Sequence, residues 1–457
     1  MAFIGYWIFG FLWIFARRFG GLDIGYWILN TSCILISVKP RIKNFLGNKF
    51  VKGGVVFTLA NIFVSLFNYL FNSLSAKALG PQGYGEIAAL FAYLSIVSVP
   101  LGIISTLIIQ KLGSVGETRA VYALSFDTWF RSRVRKWWFL FLLPILAIPI
   151  VPRITNLSLI ASVGLSSIIS ITMLTGVYMA LIQGLQLFIS FSVLSIIQTL
   201  IKLIGAILVF WKLGNISTII FFLVVGNVAT YILARLRISS LQRAFTTCKH
   251  ITFNKRIVHI MRRKQTIIAV CSLISIALLS NADIIFVKKF FSPADAGFYG
   301  VWSLFAKILI YIAGPLISVL FIFFADSQQK RTHGKLLTAI TTIFLLGTAF
   351  SFVVYQQFGN VLLSLIANKS YSPVLNYLPM AALFGGLYGL ITIYNNYFIA
   401  QNSKGALINT FTVPLYIVSL FIFGHTLQNV VWINIYYGAF VVITTWVWLF
   451  VQRNNTI

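Results

Sequence analysis

The chain carries a succession of apolar runs that follow one another with only short polar loops between them. An α-helix rises 1.5 Å per residue, so a run of about 20 residues spans the hydrocarbon core of a bilayer. Lipid offers no partner to backbone N–H and C=O groups, so each such run must be a helix. The predicted spans are 53–78, 86–110, 137–152, 158–183, 190–211, 216–234, 266–287, 297–325, 336–357, 374–400, 406–424 and 431–451.

Composition supports this interpretation over a soluble fold. The 457 residues are 59% hydrophobic and only 9% charged, with a mean hydropathy of +0.93. A soluble domain of this length would need far more charge on its surface. We therefore predict an all-α integral membrane protein with about 12 transmembrane helices.

The long basic loop 235–265 divides the predicted spans into two groups of six. We predict a first lobe over 46–234, a cytoplasmic linker over 235–265 and a second lobe over 266–457. Residues 1–45 are an apolar N-terminal extension outside both lobes. Its runs are short for a span and lack a preceding basic segment, which argues against a cleaved signal peptide. The extension is either an interfacial hairpin or the product of a start site assigned too far upstream.

One segment occurs twice, at 77–86 and again at 289–299, each time between two apolar runs. Duplicated halves in a membrane protein are typical of transporters. Both copies are predicted at the same end of the bundle, which makes the lobes parallel repeats. The matching residues, 212 positions apart in every case, are Lys77 with Lys289, Pro81 with Pro293, and Gly85 with Gly297.

The net charge of +28 is distributed unevenly among the loops. Basic residues collect on the side from which residue 53 enters, so this side and the C-terminus are predicted to be cytoplasmic, in a multi-pass protein of the cell membrane. Anionic lipid headgroups are the expected partners of these residues, and nucleic acid is not, because most of them lie in short loops next to spans. The opposite side holds only Lys77, Arg153, Lys212, Lys288, Lys289 and Lys369.

Signals for enzymatic chemistry are missing from the sequence. The chain has seven acidic residues, four histidines in or beside loops, and three cysteines without a disulfide or metal-ligand spacing. No nucleophile elbow or phosphate-binding loop is present. We expect no catalytic residues, no metal and no cofactor.

Polar side chains within the first span form a stripe. Asn61, Ser65, Asn68, Asn72 and Ser75 are spaced by three or four residues, which places them on one face of a helix. Asparagine in hydrocarbon needs a polar partner or water. The stripe is either an interhelical hydrogen-bonding face or the wall of an aqueous cavity, and the number of asparagines favours the cavity.

Two lysines fall far from the ends of their predicted spans. Lys202 shares a helix face with Gln198 in the span 190–211, and Lys307 lies about 15 Å below the outer end of its span. Snorkelling would bring the ammonium of Lys202 near an interface, and it is hardest for Lys307; either lysine could instead meet a structural partner. The alternative, which we favour, is that Gln198, Lys202 and Lys307 line a cavity.

Asp283 is the carboxylate that lies deepest within a predicted span, two residues after Asn281. Three roles are open for it. It can couple transport to an ion, balance the charge of Lys307, or cap the nearby loop.

These features resemble a known family. The run Leu-Gly-Pro-Gln-Gly-Tyr-Gly at 79–85, after the asparagine-bearing first span, resembles the polysaccharide-transporter (oligosaccharide flippase) family of the multidrug/oligosaccharidyl-lipid/polysaccharide exporter superfamily. The same holds for Asn281-Ala282-Asp283 followed by Pro293 and the run Ala-Gly-Phe-Tyr at 296–299. The resemblance covers about residues 45–452 and leaves the N-terminal extension outside.

The resemblance implies a two-lobe transporter that flips lipid-linked oligosaccharides across the cytoplasmic membrane by alternating access. It also implies a polysaccharide polymerase or glycosyltransferases as partners. Asparagine and serine can bind sugar hydroxyls, while Lys202 and Lys307 can offset the charge of a diphosphate. The alternative is a cation-coupled exporter of small molecules, such as drugs, from the same superfamily.

Overall fold

The computed structural model describes residues 49–114, 119–146, 148–246, 264–325, 330–401 and 403–454. All regular structure in these ranges is helical, which confirms the predicted all-helical class. The helices of the first half are α1 (Lys49–Val97), α2 (Val99–Ser114), α3 (Arg119–Lys136), α4 (Leu143–Leu146), α5 (Val151–Thr155), α6 (Leu159–Gly184), α7 (Phe188–Phe210) and α8 (Ile216–Thr246). Those of the second half are α9 (Lys264–Leu279), α10 (Ala282–Phe290), α11 (Pro293–Ala325), α12 (Lys330–Ile366), α13 (Leu378–Ala400), α14 (Ile408–Phe423) and α15 (Leu427–Asn454).

Within the described residues, eight helices are long and apolar enough to cross a membrane. The number is nine if the bent pair Val270–Leu279 and Ala282–Phe290 forms one span. The first candidate, Leu59–Val97, covers two of the predicted spans in part, because α1 bends at Gly80. The protein is therefore a multi-pass, all-helical membrane protein.

The predicted span 137–152 is wrong. A 3₁₀ turn at Trp138–Phe141 and the short helices α4 and α5 take its place, and residue 147 lies outside the described ranges. Pro144 and Pro149 explain the break, because proline supplies no backbone N–H to continue a helix. The side chains remain apolar and exposed, with Leu146 70% exposed, as expected of a surface that faces lipid.

The other predicted spans all fall on helices, with some differences at their ends. Helix α8 continues to Thr246, into the segment predicted as a linker, and residues 247–263 lie outside the described ranges. The chain divides into two compact units, 1–52 and 53–457. The structure describes only the last residues of the first unit, so the predicted extension 1–45 lies outside the described residues. The boundaries of the two lobes stay a prediction.

The two copies of the repeated turn are built differently. At Gly80, φ is 66° and ψ is −177°, a conformation in which α1 reverses direction and Pro81 begins its second arm. The second turn has extended backbone at Phe291, and Ser292 accepts a hydrogen bond from the backbone N–H of Asp295. The first turn thus depends on glycine, whereas the second depends on a serine cap.

Candidate functional site

A cavity of about 260 Å³ lies between the first and second halves of the chain, and its described lining comes from four helices and the residue before one of them. Both arms of α1 contribute to it, together with α7, the junction of α9 and α10, and α11. Its lining consists of Ser65, Asn68, Asn72, Tyr84, Ala88, Phe91, Ala92, Ser95, Lys202, Asn281, Ile284, Gly300, Ser303, Leu304 and Lys307.

The asparagine stripe supplies one wall of the cavity. Ser65, Asn68 and Asn72 line it because their spacing turns one face of α1 inward. The amide nitrogen of Asn72 donates to the carbonyl of Asn68 (2.8 Å), and the hydroxyl of Tyr84 donates to the Asn72 side-chain oxygen (3.3 Å). Within the described residues the side-chain amide of Asn68 makes no hydrogen bond, so it is available to a ligand or to water.

Lys202 reaches the cavity from α7 between two aromatic rings. Its Nζ lies 4.9 Å from the ring centre of Phe71 and 5.5 Å from that of Phe91, distances at which a cation is attracted to a ring face. No carboxylate among the described residues lies within ion-pair distance of it. The rings hold the ammonium in place and leave its charge uncompensated.

Lys307 lines the same cavity from α11, a helix of the second half. It lies close enough to Asp283 to interact with it electrostatically, but no ion pair within 4.0 Å joins them. The cavity is therefore lined by one lysine from each half of the chain. No aspartate or glutamate is among the described residues that line it.

Asp283 lies behind the cavity wall, fully buried in the first turn of α10. The partial positive charge of a helix N-terminus favours an anion at this place. Its Oδ2 accepts hydrogen bonds from the Tyr299 hydroxyl (2.5 Å) and the Asn434 amide (3.5 Å). The Tyr416 hydroxyl donates to Asn434 in turn, so four side chains form one buried polar cluster.

Two residues of the predicted site lie elsewhere. The amide nitrogen of Gln198 donates to the Asn227 side-chain oxygen (3.0 Å), which also accepts from Thr172. Asn61 donates to the carbonyl of Phe57 (2.9 Å), one turn earlier on α1, and is not part of the cavity lining. Gln198 shares a helix face with Lys202, but in this structure that part of the face packs against α8.

Sequence reasoning missed several lining residues. In the sequence, Asn281 stands out only as a neighbour of Asp283, and Tyr84 only as part of a turn, yet both line the cavity. Ser303 lies one turn before Lys307, a spacing that could have revealed it. The partners of Asp283 on α11, α14 and α15 are distant in sequence, so no local pattern indicates them.

The comparisons with known proteins concern the fold. No protein-family model matches the chain, and no curated protein sequence matches it. A solved inward-facing structure of a multidrug resistance MATE family transporter of the MOP superfamily superposes with a TM-score of 0.62 at 15% identity. That match covers 86% of this chain and 97% of the other.

Two further solved transporter structures superpose on the chain about equally well. The lipid II flippase MurJ in an inward closed conformation superposes with a TM-score of 0.63 at 16% identity, covering 86% of each chain. The eukaryotic MATE transporter AtDTX14 gives 0.61 at 15% identity, covering 88% of this chain and 96% of that one. The chain therefore shares the fold of these three solved transporters.

Proposed function

We propose that this protein is an oligosaccharide flippase that moves a lipid-linked oligosaccharide across the cytoplasmic membrane by alternating access. The observation that carries the proposal is that Lys202 and Lys307, from different halves of the chain, line one cavity that has no carboxylate among the described lining residues. A site with two positive charges attracts an anion and repels a cationic drug.

The rest of the lining supports a sugar-bearing ligand. Asn68, Asn281 and Ser303 place amide and hydroxyl groups beside the lysines, and such groups can both donate to and accept from sugar hydroxyls. A polyprenyl diphosphate sugar combines an anionic group with hydroxyls, and its apolar tail can remain in the bilayer. The fold similarity to a lipid II flippase and the turn motifs that resemble the polysaccharide-transporter family agree with this substrate class.

The test is to remove each cavity charge in a strain that depends on this protein for glycan export. Each of the variants Lys202→Ala and Lys307→Ala is expected to lower export at least tenfold, because a hydrogen bond to a charged group contributes about 1.5–3 kcal/mol. Lys202→Arg should retain more activity than Lys202→Ala. Lys212→Ala, which removes an exposed lysine from the loop between α7 and α8, is the matched control.

The result is read as surface glycan per molecule of folded transporter. Export at the parental level by the variant that lacks both lysines would refute an anionic substrate for this cavity.

A second candidate function is cation-coupled export of small molecules. The buried carboxylate of Asp283 favours it, since an acidic group inside a membrane can bind and release a cation. The similarity to multidrug MATE transporters is also compatible with it. Efflux of a cationic dye that Asp283→Asn abolishes, in cells whose glycan export is unchanged, would favour this alternative.

A further inference from the structure

The two copies of the repeated turn touch each other. A Cβ atom built on Gly297 would overlap the carbonyl oxygen of Pro81, and one built on Gly85 would lie 2.7 Å from the backbone nitrogen of Gly297. Only glycine lets two backbones approach so closely. Both turns therefore lie at the same end of the bundle, here named the turn end, and the glycines form a seam between the halves.

Hydrogen bonds beside the seam also join the two halves. Each runs from a side chain of one half to a backbone carbonyl of the other, so an opening movement would break it without leaving a buried charge. The bonds are Ser73 to Leu365 (3.2 Å) and Ile366 (3.1 Å), Tyr371 to Ala76 (3.2 Å), Asn368 to Lys77 (3.3 Å), Lys289 to Ile154 (2.8 Å) and Asn156 to Lys289 (3.3 Å).

The seam leads directly to the cavity. One turn further along α11, a Cβ on Gly300 would lie 2.9 Å from the Cβ of Ala88 and 3.3 Å from the ring of Tyr84. Tyr84, Ala88 and Gly300 all line the cavity. The contact between the two turns and the helices that follow them therefore closes the cavity at the turn end.

We infer that the two copies of the repeated turn are the two faces of the outer gate, and that they separate and meet again in each transport cycle. The inference rests on the proposed function for its transport cycle. It gives the duplicated motif a mechanical role, because the glycines allow contact and the carbonyl bonds hold it reversibly. The charge pattern of the loops places this end on the outer face of the membrane.

A disulfide across the seam tests whether it opens. In a chain whose three native cysteines are replaced by serine, Gly85→Cys with Ala296→Cys places the two Cβ atoms 3.1 Å apart. A small widening brings them to the 3.5–4.5 Å of a disulfide. Ala88→Cys with Gly300→Cys, at 2.9 Å, is a second pair. Leu387→Cys with Gly438→Cys, also at 3.1 Å but within the second half, is the control.

Each pair is compared with itself in the oxidised and the reduced state, because a Cβ on Gly85 already lies 2.7 Å from the backbone nitrogen of Gly297 and should lower export in both states. Oxidation is expected to stop the export that the reduced protein retains in both seam pairs and not in the control. A labelling assay tests whether the gate opens without depending on which substrate the protein transports. Ser65→Cys, added to the parent and to a Gly297→Ala variant, reports access of a water-soluble maleimide from the outer side.

Gly297→Ala is expected to hold the gate open and raise outer labelling at least threefold, because its Cβ overlaps Pro81. Gly347→Ala, where a Cβ meets nothing within 4 Å, should leave labelling unchanged. Undiminished export by the oxidised seam pairs would overturn the inference, as would unchanged labelling in Gly297→Ala. If glycan export is absent from the parent chain while labelling follows the expected pattern, the proposed substrate fails and the gate stands.

Discussion

Lys202 and Lys307 lie in one cavity but are held by different neighbours. The constant spacing of the repeat places Asp283 at the position of Phe71, and Lys307 at the position of Ser95. In the first half a cation rests between two aromatic rings, while in the second half a cation lies near a carboxylate. Aromatic rings attract a cation without neutralising it, so the charge of Lys202 remains fully available to an anionic ligand.

Two variants of Asp283 separate the effect of its charge from that of its hydrogen bonds. Asp283→Asn keeps a side-chain oxygen that can accept from Tyr299, so the protein should fold with a thermal midpoint close to the parent. Asp283→Leu leaves the Tyr299 hydroxyl without its acceptor, at a cost of about 1–3 kcal/mol, whereas the Asn434 amide keeps its 2.6 Å hydrogen bond to the Tyr299 oxygen. Thermal unfolding in detergent measures both variants.

Transport by the two Asp283 variants shows whether the carboxylate couples transport to a cation. If the carboxylate couples transport to a cation, Asp283→Asn should fold normally and lose concentrative transport. Equal thermal midpoints for Asp283→Asn and Asp283→Leu would contradict the hydrogen-bonded role derived from Tyr299 and Asn434.

The first repeated turn is formed by the bend in α1 at Gly80. Gly80 combines a φ of 66° with an extended ψ, a region essentially restricted to glycine. A Cβ at this position meets nothing within 4 Å, so the cost of a substitution is backbone strain and not a steric clash. Gly80→Ala is therefore expected to destabilise the protein by about 1–3 kcal/mol.

Gly102→Ala in α2 is the matched control for that prediction. Its Cβ also meets nothing within 4 Å, but the residue is helical, so the change should be neutral or stabilising by up to about 1 kcal/mol. Thermal midpoints of the purified variants decide the matter. A midpoint for Gly80→Ala equal to that of Gly102→Ala would show that the bend tolerates side chains.

Helices were predictable from the sequence because hydrocarbon allows few alternatives. Uninterrupted apolar runs such as 158–183 and 190–211 correspond to α6 and α7 within a few residues. The prediction failed at 137–152, where apolar composition remained but two prolines removed helix donors. Hydropathy reports where a segment lies, whereas continuity of a helix depends on its backbone.

The candidate site was predictable only where one helix carries the pattern. The stripe on α1 follows from spacing alone, and three of its members line the cavity. Gln198 shows the limit of this reasoning, because a helix face can meet a cavity at one turn and a neighbouring helix at the next. The substrate role of the predicted residues stays a prediction.

At the scale of the whole molecule, the hydrogen bonds that join the halves lie at the end that carries the two repeated turns, next to the cavity, whereas α2 packs against α9 away from that end. Because those hydrogen bonds close the end with the turns, we expect water to enter the cavity from the opposite end, which the charge of the loops predicts to be cytoplasmic. In a cysteine-free chain, Ser65→Cys and Asn68→Cys should react with a water-soluble maleimide applied from the cytoplasmic side. Leu66→Cys is the control, since Leu66 is 49% exposed on a face of α1 that does not line the cavity and should meet lipid.

The comparison of labelling rates is between two neighbouring residues of α1, Ser65 and Leu66. Ser65 and Leu66 lie at the same depth in the membrane, so differences in labelling reflect the face of the helix and not its distance from the surface. We expect at least tenfold faster reaction at Ser65→Cys than at Leu66→Cys in membranes. Unfolding in detergent should remove the difference. Equal rates in the intact membrane would mean that the stripe faces lipid or packed protein, and the aqueous cavity between the halves would then be untenable as a substrate site.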